Sequence, residues 1–210
     1  DPPQSRAGLP SGPGARYAPA MRLLPLLALL AAAPAAAQIT QPVATPANPA
    51  PAPGRWPTKE GDVTLPAFRF KTGETMDVRM HYTTLGTPRR GPDGRINNAV
   101  MVLHGTGGSG KQFLSPQFAD ELYGPGQPFD ITKHYVILPD NIGHGASSKP
   151  SDGKRMAFPK YDYDDMVAAQ KAMLDQLGVT RLQVILGTSM GCMHGFVWGQ
   201  VDPGFVQAMM

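Results

Sequence analysis

The chain has 210 residues, 19 Lys plus Arg against 16 Asp plus Glu, a formal net charge of +3 and one cysteine, Cys192. The length suffices for one domain with a real core. The charge excess is small and nowhere concentrated, so nothing supports nucleic-acid binding. A lone cysteine forms no internal disulfide and does not report the redox compartment, and no His or Cys spacing matches a zinc site.

The first residue is Asp1, and the reading frame is expected to start at Met21. Met21-Arg22 supplies a basic n-region, Leu23 to Ala33 an apolar run broken only by Pro25, and Ala35-Ala36-Ala37 a small-residue exit before Gln38. That order predicts a cleaved secretory signal peptide and a periplasmic or secreted protein. The run is shorter than the ~20 residues a membrane span needs, so no span is expected after cleavage. Residues 1–37 are therefore assigned to an upstream extension plus signal. "ITQPVATPANPAPAPGRWP", Ile39 to Pro57, is rich in Pro and Ala and predicts a tether over 38–58. The folded part is expected from Lys59 onward, as 59–210.

Asp62 to Phe70 and Thr75 to Leu85 are rich in β-branched and aromatic residues, with Gly73 between them, and predict a β-hairpin. A turn-rich loop follows over Thr87 to Asn98. Ala99 to Leu103, Tyr135 to Leu138 and Leu182 to Leu186 are continuous apolar runs, the mark of strands covered on both faces. Helices are predicted over Lys111 to Tyr123, over Tyr163 to Leu177, where Met166, Val167, Ala169, Gln170, Met173, Leu174 and Leu177 recur at near-helical spacing before Gly178, and over Met190 to Val201, ended by Asp202-Pro203. Strands alternating with helices predict an α/β fold, a mostly parallel sheet with helices on both faces.

Gly187-Thr188-Ser189-Met190-Gly191 fits G-x-S-x-G between a buried strand and a helix. That context is what a nucleophile on a sharp strand-to-helix bend requires; a Cβ at either flanking glycine would collide with the neighbouring strand and helix. An oxyanion hole needs two N–H groups. One is expected from Met190, the other from the glycine-rich loop "VLHGTGGSG", with Thr106 as donor, Gly105 allowing close approach and His104 bracing the loop. The rival reading of this loop is a phosphate cradle. Gly105 and Gly110-Lys111 fit a Walker spacing, but Gln112 stands where Ser or Thr must hold Mg²⁺. No cofactor is expected.

"HGTGGSG", "LPDNIGHGASSKP" and "GTSMGCMHGFVWG" resemble the α/β-hydrolase superfamily, and "GTSMG" followed by "MHGFVWGQVDP" is most similar to the branch containing homoserine O-acetyltransferase. The resemblance covers Asp62 to Met210. It implies an α/β-hydrolase fold, Ser189 as nucleophile, and the N–H groups of Thr106 and Met190 as oxyanion donors. Cys192 departs from the pattern, standing where a second Gly is frequent. Because both residues are small, the difference suggests tight packing, with the thiol inert.

The triad order of this fold is Ser, then Asp or Glu, then His. After Ser189 come only Asp202, at the end of the next helix, and His194, one turn along the same helix. A base should reach the serine from another loop, so His194 is rejected; His144 is read as structural. The acid and base are expected beyond Met210, and the chain is expected to break off after the nucleophile helix, where the next strand should begin. That truncation would leave Leu182 to Leu186 as a bare edge and the chain inactive by itself. Three functions remain. The first is a serine hydrolase acting on a small-molecule ester or related acyl substrate. The second is an acyltransferase of the homoserine O-acetyltransferase type, and the third a non-catalytic binding module. Acetyl-CoA is a cytosolic donor, so export favours hydrolysis.

Overall fold

The computed structural model describes residues 56–210. The predicted signal peptide and most of the predicted tether lie outside them. The tether's last residues already belong to the fold. The Trp56 ring meets Tyr123 edge-on at 5.9 Å, its Nε1–H donates to Asp120 Oδ1 at 3.3 Å, and the first strand opens at Thr58.

Strands β1 (Thr58–Arg69) and β2 (Thr75–Leu85) form the predicted antiparallel hairpin. Its alternation is lost at Pro66, which cannot donate to the ladder. The register breaks between Leu65 and Phe68, where Ala67 sits at φ 48° and its N–H is taken by Asp77 Oδ1 at 2.8 Å.

Strands β3 (Ala99–Leu103), β4 (Tyr135–Pro139), β5 (Leu182–Gly187) and β6 (Val206–Met209) run parallel to one another, and the sheet order is β1-β2-β4-β3-β5-β6. The core residues of β3 and β4 divide between the two faces. Ala99, Met101, Leu103, Tyr135 and Ile137 face helices α2 (Tyr163–Leu177) and α3 (Met190–Val201), while Val100, Val102, Val136 and Leu138 face α1 (Pro116–Leu122). This is the α/β architecture with helices on both faces.

Two expectations change. The helix over Lys111 to Tyr123 is broken into a 3-10 turn at Gly110–Leu114 and α1. Pro116 disfavours helical backbone in the residue before it, and Ser115 is extended at φ −66°, ψ 148°. The next strand, expected only to begin where the residues end, is already formed there: β6 pairs with β5 through Leu182↔Val206, Val184↔Ala208 and Ile185↔Met209. The strand β5 is therefore not the sheet edge. Because β6 is four residues long and mostly exposed, it carries no apolar run that would betray it.

Helix α2 has the boundaries its periodicity predicts. Asp162 caps it, accepting from the N–H groups of Asp164 and Asp165 while the Asp165 carboxylate reaches back to the Asp162 N–H, and Gly178 ends it in the left-handed conformation at φ 77°.

Candidate active site

The carboxyl ends of β3, β4 and β5 lie side by side, with Leu103 directly opposite Gly187. Open parallel sheets place ligands at these ends; the residues singled out by sequence lie in the loop after β3, at the last residue of β5 and in the bend and first turn of α3.

Ser189 occupies the N-cap position of α3 at φ 51°, ψ −113°, and its hydroxyl makes no capping bond. A non-glycine residue at positive φ costs of order 1–3 kcal/mol and persists only where its surroundings enforce it. Here the surroundings are both flanking glycines. A Cβ on Gly187 would stand 2.4 Å from the carbonyl carbon and oxygen of Gly191, and one on Gly191 would stand 2.2 Å from the Leu103 carbonyl oxygen. The first turn of α3 thus rests directly on the ends of β3 and β5. Ser189 itself is exposed, and its hydroxyl has no hydrogen-bond partner among the described residues.

The loop after β3 lies against this bend: a Cβ on Gly105 would be 3.2 Å from Ser189 Cβ. Gly105 to Gly108 is a tight turn, closed by the Gly108 N–H donating to the Gly105 carbonyl at 3.0 Å, with Gly107 at φ 79°. A residue with positive φ at the third position is the mark of a type II turn, which glycine adopts without strain. Thr106 is exposed at its second position. Neither the Thr106 nor the Met190 N–H meets a main-chain acceptor among the described residues, and helix N-termini favour nearby negative charge.

His104 is fully buried and donates through Nδ1 to the Gly105 carbonyl at 2.9 Å; its Nε2 accepts from the Asn141 backbone N–H and side-chain amide, both at 3.1 Å. Burial holds its pKa below the usual imidazole value, so the ring is neutral. The far end of the loop is fixed by Asp140, which accepts from the Gly110 N–H through Oδ1 and from the Ala146 N–H through Oδ2, each at 2.7 Å. Lys111, the candidate phosphate ligand of the rival reading, is bound to Glu60 Oε1 at 2.8 Å and holds that carboxyl below the usual range.

The remaining candidates are engaged elsewhere. His144 donates from Nδ1 to the Ile142 carbonyl at 3.0 Å, its ring 5.0 Å from His104. Asp202 closes the far end of α3 and meets Lys171 at 3.5 Å; twelve residues of helix span about 18 Å, which removes it from Ser189. Cys192 is half-buried rather than fully enclosed and lines an apolar cleft with Ile185, Phe196 and Met209. His194 is fully buried, with Nδ1 facing the Gln170 amide nitrogen at 3.0 Å and the Tyr163 ring 5.2 Å away.

Asp140, Asn141 and Gln170 were not singled out from the sequence as site residues. The one available signal was Gln170, a polar residue on the buried stripe of α2.

Burial lowers the His194 pKa to about 4. Between pH 6.5 and about 4 the unfolded imidazole binds a proton that the folded one does not. Stability is therefore full above pH 6.5 and falls as the pH drops through this window, by on the order of 3 kcal/mol. Urea midpoints measured at pH 7 and pH 4.5 should show a smaller drop in His194→Gln than in the native sequence. Equal drops would assign the acid sensitivity to other groups.

The alpha/beta hydrolase fold family matches residues 98–210, more than half of the chain, and the protein belongs to that family. Within it, the chain is similar to the homoserine O-acetyltransferase branch. It is 37% identical over 129 residues to the homoserine O-acetyltransferase of Moorella thermoacetica, covering 54% of this chain and 34% of that protein. Among solved structures it resembles homoserine O-acetyltransferase from Bacillus anthracis (TM-score 0.60, 25% identity, 72% of this chain and 45% of that one). It shares its fold with esterase E22 (TM-score 0.60, 24% identity, 71% of this chain and 46% of that one). The chain thus spans less than half the length of each of these proteins.

Proposed function

We propose that this chain carries the nucleophile and oxyanion half of an acyl-transfer site, and that the whole protein hydrolyses a small ester or related acyl substrate through an acyl-serine intermediate. The observation that carries the reading is the exposed, uncapped Ser189 at φ 51°, enforced by Gly187 and Gly191 and faced by the Gly105 turn. The Ser189 hydroxyl attacks the acyl carbon. The N–H groups of Thr106 and Met190 stabilise the oxyanion that forms, and the alcohol leaves. A histidine backed by a carboxylate, supplied from outside the residues described, removes the hydroxyl proton and returns it to the leaving oxygen. Water then releases the acyl group. No cofactor enters this scheme.

The relatives named above are acetyltransferases and an esterase, and the same acyl-serine serves both outcomes. Transfer to an alcohol such as homoserine is the second reading, favoured by the similarity to the acetyltransferases. The signal-like segment at Met21 to Ala37 favours hydrolysis, since an exported enzyme lacks acetyl-CoA. Two measurements on the full-length protein decide. N-terminal sequencing should find a mature start at or near Gln38, and p-nitrophenyl acetate should be hydrolysed without added homoserine. A retained Met21, with acetyl-CoA consumed only when homoserine is present, would establish transfer instead. Tight substrate binding with no turnover of either would leave a binding module.

A further inference from the structure

Beneath the candidate site runs a buried polar chain whose proton positions are all dictated by two groups that can only donate. The first is the Trp198 indole, whose Nε1–H donates to Gln170 Oε1 at 2.8 Å. That contact fixes which way the Gln170 amide faces. Its Nε2 must then point the other way, donating to Asn141 Oδ1 at 2.6 Å and to His194 Nδ1 at 3.0 Å. With Oδ1 occupied as an acceptor, Asn141 turns its Nδ2 toward His104 Nε2 at 3.1 Å. The second obligate donor is the Asn141 backbone N–H, which reaches the same nitrogen at 3.1 Å. Nε2 of His104 is therefore an acceptor, and its proton lies on Nδ1, where it donates to the Gly105 carbonyl at 2.9 Å. Trp198, Gln170, Asn141, His104 and His194 are all fully buried or within 5% of it, so water offers no competing partner.

The carbonyl of Gly105 and the N–H of Thr106 belong to one planar trans peptide unit and point in opposite directions. Two donors, His104 Nδ1 and the Gly108 N–H, hold that carbonyl. Fixing the carbonyl fixes where the Thr106 N–H points. We propose that Gln170 is a positioning residue for the oxyanion hole: acting through Asn141 and His104, it sets the direction of the Thr106 N–H and keys it, through Trp198, to the helix that bears Ser189. Like the roles of Thr106 and Ser189, this rests on the acyl-transfer reading. Its physical use is preorganisation, since donors must already be aimed before charge develops.

Replacing Gln170 by glutamate keeps the shape and the acceptor for Trp198 but removes both donors. Asn141 Oδ1 then loses its donor and the Asn141 amide its anchored hold on His104; the ring keeps only the Asn141 backbone N–H at Nε2, and the Gly105 peptide is held less firmly. The test uses full-length protein with nitrogen-15-labelled histidine, p-nitrophenyl acetate as substrate, and a fluorophosphonate to count functional Ser189 sites. In the native sequence His104 should show the Nδ1–H tautomer and His194 the Nε2–H tautomer. In Gln170→Glu, His104 should keep the Nδ1–H form that the Asn141 backbone N–H enforces, but its Nε2 resonance should move as the hydrogen bond from the Asn141 side-chain amide is lost. Turnover per titrated site should fall about tenfold with KM changed less than roughly twofold, as expected when a substitution distant from the chemistry misaims a donor at it. The native tautomers need no variant, so an Nε2–H form of His104 there would overturn the chain even if Gln170→Glu failed to fold. A stable variant with unchanged turnover per titrated site would reduce Gln170 to packing. Absence of labelling at Ser189 in the native protein would instead overturn the acyl-transfer reading, and the role of Gln170 with it.

Discussion

Ser189→Ala is expected to abolish fluorophosphonate labelling of the full-length protein and to lower its turnover of p-nitrophenyl acetate by about 10⁴-fold or more, the scale on which removing a serine nucleophile acts. Structure should be untouched: the Ser189 hydroxyl makes no capping bond, so its loss leaves no donor stranded. Three other serines lie nearby in the site loops, and the structure separates them from this role. Ser147 is buried with its hydroxyl donating to the Asp140 carbonyl at 2.6 Å and accepting from the His81 N–H at 2.8 Å. Ser148 accepts from the Arg79 N–H at 2.9 Å, and Ser109 closes the 3-10 turn through its carbonyl. Peptide mapping should place the adduct on Ser189. An adduct on Ser109, Ser147 or Ser148, retained in Ser189→Ala, would refute the assignment.

The second large effect is expected at Gly191, where a single methyl group should cost about 3 kcal/mol or more, the upper part of the range for overpacking. The reason is the identity of the obstacle. A Cβ there meets the Leu103 carbonyl oxygen at 2.2 Å and its carbonyl carbon at 2.7 Å, main-chain atoms of a central strand that no rotamer change can move aside. For a domain of this size the loss corresponds to a fall in Tm of roughly 6–12 °C. Gly204 is the control: nothing lies within 4 Å of its ideal Cβ, and Gly204→Ala should stay within about 0.5 kcal/mol. Urea unfolding of the two variants checks both numbers, and a Gly191→Ala protein as stable as Gly204→Ala would show that α3 is not seated on β3 as described.

Much of this protein was legible from local pattern. The apolar runs of β3, β4 and β5 announce strands covered on both faces. The stripe from Met166 to Leu177, closed by Gly178, marks α2 to the residue, and the boundaries of α3 follow from Gly191 and Asp202-Pro203. Each of these signals is carried by neighbours in the chain, which is why it survives without the fold. The motif around Ser189 is likewise local. Its meaning depends on a strand before it and a helix after it, and both can be read in the sequence.

What the sequence could not yield is whatever depends on distance in space. The 3-10 turn and α1 look like one helix because the periodicity runs through Ser115-Pro116, and the pairing of β6 with β5 has no local signal because four mostly exposed residues bury too little to leave a pattern. The polar chain from Trp198 to Gly105 joins residues from α3, α2, the loop after β4 and the loop after β3, with Gln170 and Asn141 29 positions apart in sequence and Asn141 and His104 37 apart. By itself the sequence determined which segments are buried and where the bend with its serine lies, because burial and backbone freedom are properties of residue type and spacing. Only the tertiary structure decided which way the Thr106 N–H is aimed, because a buried hydrogen bond takes its direction from partners that folding alone brings within reach.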